Sequence, residues 1–491
     1  MTANPPAQSQ TAVKESLWVR HRTLIALVAI LIVAAFFRFY GRDFDQDTHQ
    51  HPDERFIVDQ TLGLSWPTTS AQFFDVANSP LNLRRAGKHY PYGSLPVYLT
   101  KGVAWAVDTY LPPDSLHGKG WWLGYEGVTK IGRMLAGFFD LITVLLVFLI
   151  ARRLYSRTAG LIAAALVGFA VTHIQIAHFY ASDAFLVTFM MGALYFAVVL
   201  MQRPSLRAAT GVGLCIGLAV ASKVSVVLFA LIVIAAIGLR AAYRQKTRVL
   251  GAEFDDPIGV KPADATERAR SASGHFVRGL RYAVIAAVFA LLAFAVSEPY
   301  VLPSFQYSEF STGGVTAVLN SSPFWGGIVE QAGIQSGHDE NDVPYTRQYV
   351  GTIPVLYHMQ NLVFWGLSPI PGVIVVLGFI VGLWFTIRRR PAEILLMAGA
   401  LPYWATILVV ETKWMRYVLP LVPIYCILGA GMLMRGAAFM QALTARTAWL
   451  RSSRRPMAVL QRNLFPVLSV VTVGAAFLWA VAFMNIYSQE H

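Results

Sequence analysis

The sequence has few charged residues. Asp, Glu, Lys and Arg together make up 14% of its 491 residues, apolar residues make up 55%, and the mean hydropathy is +0.51. This composition excludes an ordinary soluble globular protein and is typical of a chain that crosses a membrane many times. The net charge of +13 does not indicate a nucleic-acid partner, because a basic balance also arises when Lys and Arg collect in cytoplasmic loops.

Cysteine is nearly absent as well. Cys215 and Cys426 both lie inside apolar runs, where a disulfide would have to join two membrane helices, so we expect them to be packing residues. No soluble catalytic domain separates the apolar runs, and no repeat of fixed period is visible. Any chemistry must therefore come from loops and helix ends.

Runs of about 20 apolar residues, the length that crosses a bilayer, occur about eleven times. The fold class that this predicts is an all-α bundle of membrane helices. The predicted spans are residues 22–40, 129–151, 158–178, 183–201, 207–222, 224–240, 281–297, 368–387, 393–410, 417–434 and 466–485.

The flanking charges predict the orientation of the bundle. The polar N-terminus and the first apolar run, which has no small-residue cleavage pattern, indicate a retained signal anchor with a cytoplasmic N-terminus. Lys and Arg then fall mainly in the loops that this orientation leaves inside. Three cations, Lys223, Lys413 and Arg416, lie in outer hairpins instead, so each of them needs a separate reason.

The same orientation divides the chain into three parts. Residues 1–240 form an N-terminal catalytic membrane module with an outer loop at 41–128, residues 241–279 form a polar cytoplasmic linker, and residues 280–491 form a C-terminal membrane module with an outer loop at 298–355. The stretch 90–107 is too short and too rich in Pro and Gly to cross the membrane, and we expect a helix that lies in the interface.

The first outer loop opens with a dense acidic cluster. It is either a solvated loop or a site. The sequence "HPDE" favours a site, because Pro52 biases His51 towards an extended backbone and places Asp53 and Glu54 at a defined turn. Our hypothesis is that partial burial raises the pKa of a carboxylate there until it can take a proton from a hydroxyl group. The members of the cluster are Asp43, Asp45, Asp47, Asp53, Glu54 and Asp59.

A second outer acid is Asp183, at the start of the fourth span. With Ser182 it could cap the N-terminus of a helix, and a capping carboxylate could also bind a metal or orient a substrate. On an extended strand, His49, His51 and Asp53 would share one face, which leaves a divalent metal ion possible.

The outer cations could bind a phosphate group. Lys413 and Arg416 are three residues apart and would share a helix face, and Lys223 belongs to the same outer layer. The alternative is that these side chains extend to the lipid headgroups at the membrane surface. Arg133 and Asp140, inside the second span, are expected to pair with each other, since an isolated charge there would cost about 3 kcal/mol.

A carboxylate base, a second acid and a ring of cations suit transfer of a sugar from a polyprenyl phosphate to a hydroxyl acceptor. The alternative function is a multi-span transporter or lipid flippase. Transporters place their ionisable residues near the bilayer midplane, often in two related halves. Here nearly every ionisable residue other than Asp140 is predicted at the rim and the halves show no matching pattern, which favours the enzyme.

The chain also resembles a known superfamily along most of its length. The resemblance rests on the order of "HPDE", "YGSLPVYL", "GRMLAGFFDLITVLLVFLIARRLYSRTAGLIAAAL", "IQIAHFYASDAFLVTF", "GLAVASKVSVVL" and "TKWMRYVLPLVP". Together these segments are similar to the GT-C glycosyltransferases that use polyprenyl-phosphate sugars, most closely the bacterial protein O-mannosyltransferase-like and aminoarabinose-transferase-like membrane proteins.

The resemblance implies an inverting hexosyl or pentosyl transferase that works at the extracytoplasmic face. It implies that Asp53, with Glu54 beside it, is the catalytic base, that Asp183 is the facing acid, and that Lys413 and Arg416 bind the lipid phosphate. A metal shared by Asp53 and Asp183 is an open possibility, since metal dependence varies in this superfamily. The expected partners are the polyprenyl-phosphate-sugar donor, a protein, lipid or glycan acceptor, and membrane lipids, without nucleic acid.

Overall fold

The computed structural model describes residues 17–88, 90–111, 117–242, 265–336, 347–446 and 455–488, and these residues form helices joined by turns, with no strand. The N-terminal helices are α1 (Leu17–Phe39), α2 (Pro52–Leu62), α3 (Ser70–Phe74), α4 (Leu95–Tyr110), α5 (Tyr125–Leu154), α6 (Arg157–Gly168), α7 (Val171–Ala177), α8 (Ser182–Gln202), α9 (Leu206–Val220) and α10 (Leu231–Ala242). The later ones are α11 (Ala265–Ser297), α12 (Val301–Ser304), α13 (Phe310–Asn320), α14 (Pro323–Ser336), α15 (Pro354–Asn361), α16 (Pro369–Ile387), α17 (Pro391–Leu408), α18 (Val422–Arg446) and α19 (Arg455–Met484).

The all-helical fold class is confirmed, and every predicted span coincides with helix. Among the described residues, nine helical segments are long and apolar enough to cross a membrane, and α6 with α7, bent by 55°, make a tenth. The eleventh predicted span is α9, which has 15 residues. Two spans begin as 3-10 helices, Val224–Ala230 before α10 and Met415–Leu421 before α18.

The short helix α9 packs closely on α11. Its sequence contains Gly213 and Gly217 four residues apart, the small-residue spacing that lets membrane helices approach. A Cβ atom at Gly213 would lie 2.2 Å from the carbonyl oxygen of Ala286, and one at Gly217 would lie 2.3 Å from that of Ala290. Glycine is therefore required on this face of α9, because any side chain would push the two helices apart.

The break between α6 and α7 is held by a buried ionic group. Arg38 of α1 donates to the carbonyl oxygen of Gly168, at the end of α6, at 2.8 Å, and forms a 2.6 Å ion pair with Asp140 of α5. Asp140 also bonds His173 of α7 at 2.6 Å. The expected pairing of Asp140 with Arg133 is wrong. Residues seven apart are about 10 Å apart along the axis of a helix, and neighbouring helices offer closer partners to both side chains.

The loop before α5, which is predicted to be outer, packs on the N-terminal end of α5 through a core of its own. Ile57 and Val58 of α2, Val97 of α4, and Tyr180 and Phe185 around the start of α8 are buried together there. The helix expected within 90–107 exists as α4, from Leu95 to Tyr110; its place in the membrane interface stays a prediction. This core holds α2 against the bundle and so determines where the acidic cluster lies.

Two further expectations, on the linker and on the two cysteines, can be compared with the structure. Of the expected linker 241–279, residues 243–264 lie outside the described residues, and α11 begins at Ala265. The later part of that segment is therefore helical, and its place in a cytoplasmic linker stays a prediction. Cys215 and Cys426 are both free, in agreement with their expected role as packing residues.

Candidate active site

Asp53 lies in the first turn of α2. His51 caps this helix, since its Nδ1 accepts a hydrogen bond from the Glu54 amide at 3.4 Å, and Pro52 occupies the first helical position. Proline is favoured there because its fixed φ suits the first turn. The N–H group that proline lacks would have no partner within the helix at this position. Acidic side chains in the same turn face the positive end of the helix dipole. The sequence "HPDE" is thus a helix start, and not the extended strand that the metal hypothesis required.

The Asp53 carboxylate lies between a guanidinium group and a phenol. Arg416 donates to its Oδ2 through Nη1, and Tyr92 donates to the same oxygen at 2.9 Å. Burial alone would raise the pKa of Asp53, but the nearby charges of Arg416 and His51 and the Tyr92 hydrogen bond outweigh it and lower the pKa below its ordinary value. The hypothesis of a raised pKa is therefore wrong for this arrangement, because the sequence alone does not show the opposing cation.

Asp183 and Lys223 form a second ion pair beside the first. Asp183 is in the first turn of α8 and is 3% exposed, and Lys223 Nζ lies 3.0 Å from its Oδ1. Lys223 lies in the turn after α9, at the N-cap of the 3-10 helix Val224–Ala230. Asp183 thus lies in the first turn of α8 without capping it, since the N-cap is Ala181 and no side chain caps this helix; its role towards a substrate or metal stays a prediction.

The two ion pairs meet at one aromatic ring. Lys223 Nζ lies 5.5 Å from the ring centre of Tyr417, and the Arg416 guanidinium carbon lies 5.8 Å from the same centre. Lys223 also lies 6.0 Å from the ring centre of Tyr92. The structure thus brings Asp53, Asp183 and two of the three predicted cations together.

A hollow of about 280 Å³ opens at this cluster. Tyr92, Lys223, Arg416 and Tyr417 line its charged end. The rest of its wall comes from α14, α17 and neighbouring turns and consists mainly of apolar side chains. Those residues are Pro91, Val224, Ser225, Ile328, Gln331, Ala332, Gln335, Tyr403, Thr406, Ile407, Val409 and Val410.

Glu54 does not reach this hollow. It is fully buried, receives two hydrogen bonds from Arg133 at 2.9 and 2.7 Å, and accepts the Tyr180 amide at 2.7 Å. Arg133 also binds Asp45, with a shortest distance of 2.6 Å. The expectation that Glu54 joins Asp53 in catalysis is corrected: Glu54 ties α2 to α5 and to the hairpin that carries Asp183.

Lys413 also lies apart from the cluster. Its Nζ donates to the carbonyl oxygen of Glu411 at 2.9 Å and lies 5.8 Å from the ring centre of Tyr349. The expectation of a shared helix face with Arg416 fails because the 3-10 helix begins at Met415 and Trp414 is its extended N-cap. Of the pair, the structure places Arg416 alone at the hollow.

The carboxylates do not make a good metal site with their present partners. Within the described residues, Asp45, His49 and Glu54 offer ligand atoms within 4.8 Å of one another, but Arg133 already occupies the space between Asp45 and Glu54. Asp53 and Asp183 are each compensated by a cation as well. A divalent ion would have to displace a guanidinium or ammonium group in either place.

Sequence reasoning missed the contribution of Tyr92. The signal was present in the outer-loop sequence "YPYG", where an aromatic residue with a polar tip precedes a glycine. Nothing in that local pattern says that the phenol meets Asp53, 39 residues earlier in the chain.

Comparisons with known proteins agree with this arrangement of helices. Residues 130–252 match the family model of dolichyl-phosphate-mannose-protein mannosyltransferases. A comparison with curated proteins finds no sequence match. The resemblance to GT-C glycosyltransferases is therefore supported in sequence over one part of the chain, the part that contains Asp183 and Lys223.

Solved structures extend the likeness to nearly the whole chain. The oligosaccharyltransferase AglB from Archaeoglobus fulgidus, in complex with an inhibitory peptide and a dolichol-phosphate, is 13% identical with a TM-score of 0.50, over 95% of this chain and 56% of that one. The same organism's oligosaccharyltransferase tethered with an acceptor peptide is 12% identical with a TM-score of 0.51, over 97% and 56%. ArnT from Cupriavidus metallidurans in the apo state is 15% identical with a TM-score of 0.50, over 96% and 78%.

The chain thus spans little more than half the length of the oligosaccharyltransferases. At these identities the likeness shows the fold alone, which the chain shares with the AglB and ArnT structures.

Proposed function

We propose that the protein is an inverting glycosyltransferase that moves a sugar from a polyprenyl-phosphate donor to a hydroxyl acceptor at the extracytoplasmic face of the membrane. The observation that carries the proposal is the Asp53–Arg416 ion pair, whose arginine lines the charged end of an otherwise apolar hollow. Such a hollow suits a ligand with a long apolar chain and an anionic head. Polyprenyl phosphates have this chemistry, and the GT-C fold supports the choice.

Arg416 has the donors that a phosphate requires. Its Nη1 binds Asp53, but its Nε–H is buried and has no hydrogen-bond partner among the described residues. A buried donor without a partner costs about 1–3 kcal/mol, so a phosphate oxygen that accepted this hydrogen bond would remove the penalty. Lys223 supplies a second positive charge at the same end of the hollow.

The transfer step follows from these positions. The Asp53 carboxylate takes the proton of the acceptor hydroxyl, and the acceptor oxygen attacks the anomeric carbon from the face opposite the phosphate. The bond between that carbon and the phosphate oxygen breaks, and polyprenyl phosphate leaves with the electron pair. Arg416 and Lys223 stabilise the negative charge that grows on the leaving group.

Binding of the donor also makes Asp53 a better base. While Arg416 compensates Asp53 alone, the carboxylate is stabilised in its charged form and binds a proton weakly. A phosphate that shares the guanidinium group reduces this compensation, so the pKa of Asp53 rises when the donor is in place. Asp53 is thus a stronger base when the donor is bound.

The proposed acceptor is a protein hydroxyl. The matched family model is that of protein mannosyltransferases, and one of the structurally similar oligosaccharyltransferases was solved with an acceptor peptide. A lipid or glycan hydroxyl would meet the same base.

The flippase or transporter alternative has less support. The intramembrane acid Asp140 is fully engaged by Arg38 and His173, so it is not a free carrier site. The cations of the hollow, Lys223 and Arg416, lie at a turn and in a 3-10 helix that precedes a span, and not in the middle of a long helix.

The experiment that tests the proposal is a donor panel. The purified protein, in lipid nanodiscs, is incubated with polyprenyl-phosphate sugars and with peptide, lipid or glycan acceptors, and free polyprenyl phosphate is measured. We expect release with at least one donor and only in the presence of an acceptor. A folded protein that releases no polyprenyl phosphate from any pair would contradict the proposal.

A further inference from the structure

Residues 90–95, which we call the strap, connect the first outer loop to α4 and pass beside the candidate active site. Tyr92 is the residue of the strap that reaches it. Its hydroxyl donates to Asp53 Oδ2 at 2.9 Å, and its side chain lines the hollow. The strap is held by two separate sets of contacts, and both determine where this hydroxyl lies.

The first set fixes the strap to the turn that carries Lys223. The Gly93 amide donates to the carbonyl oxygen of Ser222, and the Leu95 amide donates to that of Ala221, both at 3.1 Å. A Cβ atom at Gly93 would lie 1.8 Å from the Ala221 oxygen. Only glycine fits this close approach of two backbones, so the register between Tyr92 and Lys223 depends on it.

The second set is a buried ion pair beneath the strap. Arg84 donates to the carbonyl oxygens of Tyr90 at 3.1 Å and Tyr92 at 2.7 Å. Glu298, at the end of α11, pairs with Arg84 at 3.1 Å and accepts the Ser94 hydroxyl at 2.8 Å. Burying this pair is costly, but a buried network with several hydrogen bonds holds its members in one arrangement. Here that arrangement includes the backbone of Tyr92.

We infer that Tyr92 is a positioning residue of the proposed transfer, and that the strap holds its hydroxyl where it orients the Asp53 carboxylate. This inference rests on the proposed function. Tyr92 and Arg416 both bind Oδ2, so Oδ1 is the oxygen that receives the acceptor proton. Without the phenol, Arg416 alone would restrain rotation of the carboxylate about its bond to Cβ, and Oδ1 would face the acceptor less often.

Tyr92 remains a donor under all ordinary conditions. Burial and the negative charge of Asp53 raise the pKa of its phenol well above the ordinary value, so it stays protonated. The other groups that act on Asp53 are Arg416, His51 and Lys223, and none of them replaces a neutral donor to the carboxylate.

The test compares Tyr92→Phe with Tyr98→Phe in the full-length protein. Tyr98 is a matched control, because its hydroxyl donates to the Leu81 carbonyl oxygen at 2.9 Å in the same outer loop and not to Asp53. We expect Tyr92→Phe to lower kcat about 10- to 100-fold, the worth of a hydrogen bond to a charged group, with the donor KM unchanged. The acid limb of the kcat profile should move to higher pH, because Asp53 loses a donor that favours its charged form. Tyr98→Phe should leave the acid limb in place.

A second variant, Gly93→Ala, displaces the strap while Tyr92 is kept. It should lower kcat and shift the acid limb in the same direction as Tyr92→Phe. Wild-type transfer together with an unmoved kcat and acid limb in Tyr92→Phe would overturn the inference and leave the proposed function standing. A change confined to the donor KM would also overturn it, since Tyr92 would then be a donor-binding residue. No transfer by the wild type would overturn the proposed function and this inference with it.

Discussion

Asp53 is charged in the resting protein because a cation and a phenol share one of its oxygens. Its reactivity is therefore set by what happens to Arg416. Under the proposed function, Arg416 both compensates the base and binds the leaving phosphate, so the base is weak until the donor arrives. At the scale of single residues, this coupling makes two predictions.

The first concerns the base itself. Asp53→Asn keeps the shape of the side chain and removes the group that accepts the proton, so kcat should fall about 10²- to 10⁴-fold, the usual worth of a general base. Donor binding should persist, which a thermal-shift titration with a polyprenyl-phosphate sugar would measure. A transporter should tolerate this change. Turnover near the wild-type rate would therefore exclude Asp53 as the base.

The second concerns the cation. Arg416 lowers the pKa of Asp53, so the carboxylate is ionised above that pKa and becomes protonated as the pH falls through it. In Arg416→Gln the pKa rises, and the acid limb of kcat at saturating donor should move to higher pH. The donor KM should increase as well, since a phosphate ligand is lost.

Lys413→Gln is the matched control for Arg416→Gln. Lys413 is bonded to the Glu411 carbonyl outside the hollow, so its removal should leave the donor KM near the wild-type value. If Lys413→Gln raised the donor KM as much as Arg416→Gln does, the assignment of the phosphate site would be wrong.

At the scale of elements, the site is built from turns and helix ends, while the long helices supply support. Asp53 begins α2, Asp183 begins α8, Lys223 ends the turn after α9, and Arg416 lies in the 3-10 helix before α18. The spans keep these ends at fixed positions. The broken span α6–α7 is one of them, and it depends on buried charges.

We predict that this break is sensitive to loss of one charge. Asp140→Asn leaves Arg38 buried without its counter-charge, which typically costs about 3–5 kcal/mol, and the thermal midpoint of unfolding in detergent should fall markedly. Asp43→Asn is the control, because Asp43 is 63% exposed and its ion pair with Lys130 is long, at 3.6 Å. Equal midpoints for the two variants would show that the buried group does not hold the bend.

At the scale of the whole molecule, the candidate site joins residues that are far apart in the chain. Asp53 and Arg416 are 363 residues apart in sequence, and α14 lines the same hollow. Charge compensation in the site thus comes from side chains distributed over the whole chain, and this bears on the question of a metal.

We predict that transfer does not require a divalent ion. Arg416 and Lys223 already neutralise Asp53 and Asp183, so excess chelator should leave the rate unchanged. The measurement is release of polyprenyl phosphate with and without chelator. Loss of activity that added Mg²⁺ or Mn²⁺ restores would place a metal in the site, and the ion pairs would then have to open to admit it.

The orientation of the bundle is a further prediction. Single cysteines at Ser311, in the second outer loop, and at Arg388, in the turn after α16, should differ in labelling by a membrane-impermeant maleimide applied to intact cells. Ser311→Cys should react and Arg388→Cys should not. Both positions are exposed on the protein, so the reverse pattern would place the site on the cytoplasmic side.

The sequence alone predicted the local features of this protein. Spans follow from runs of apolar residues, since hydropathy is a property of each segment. Asp53, Asp183, Lys223 and Arg416 were named from charge and position. A local pattern also predicts the helix within 90–107, which the structure has at Leu95–Tyr110. The start of α2 was expected only as a turn, although its signal is local too, because a capping residue and a proline act on their immediate neighbours.

Only the tertiary structure decided which charges meet. In the structure Asp53 pairs with Arg416, Asp140 with Arg38 and Glu54 with Arg133, and Lys413 lies apart from the hollow. The direction of the Asp53 pKa shift reversed for the same reason. An electrostatic partner is chosen by distance in space, and in a bundle of long helices residues hundreds of positions apart can lie closer together than residues two turns apart on one helix.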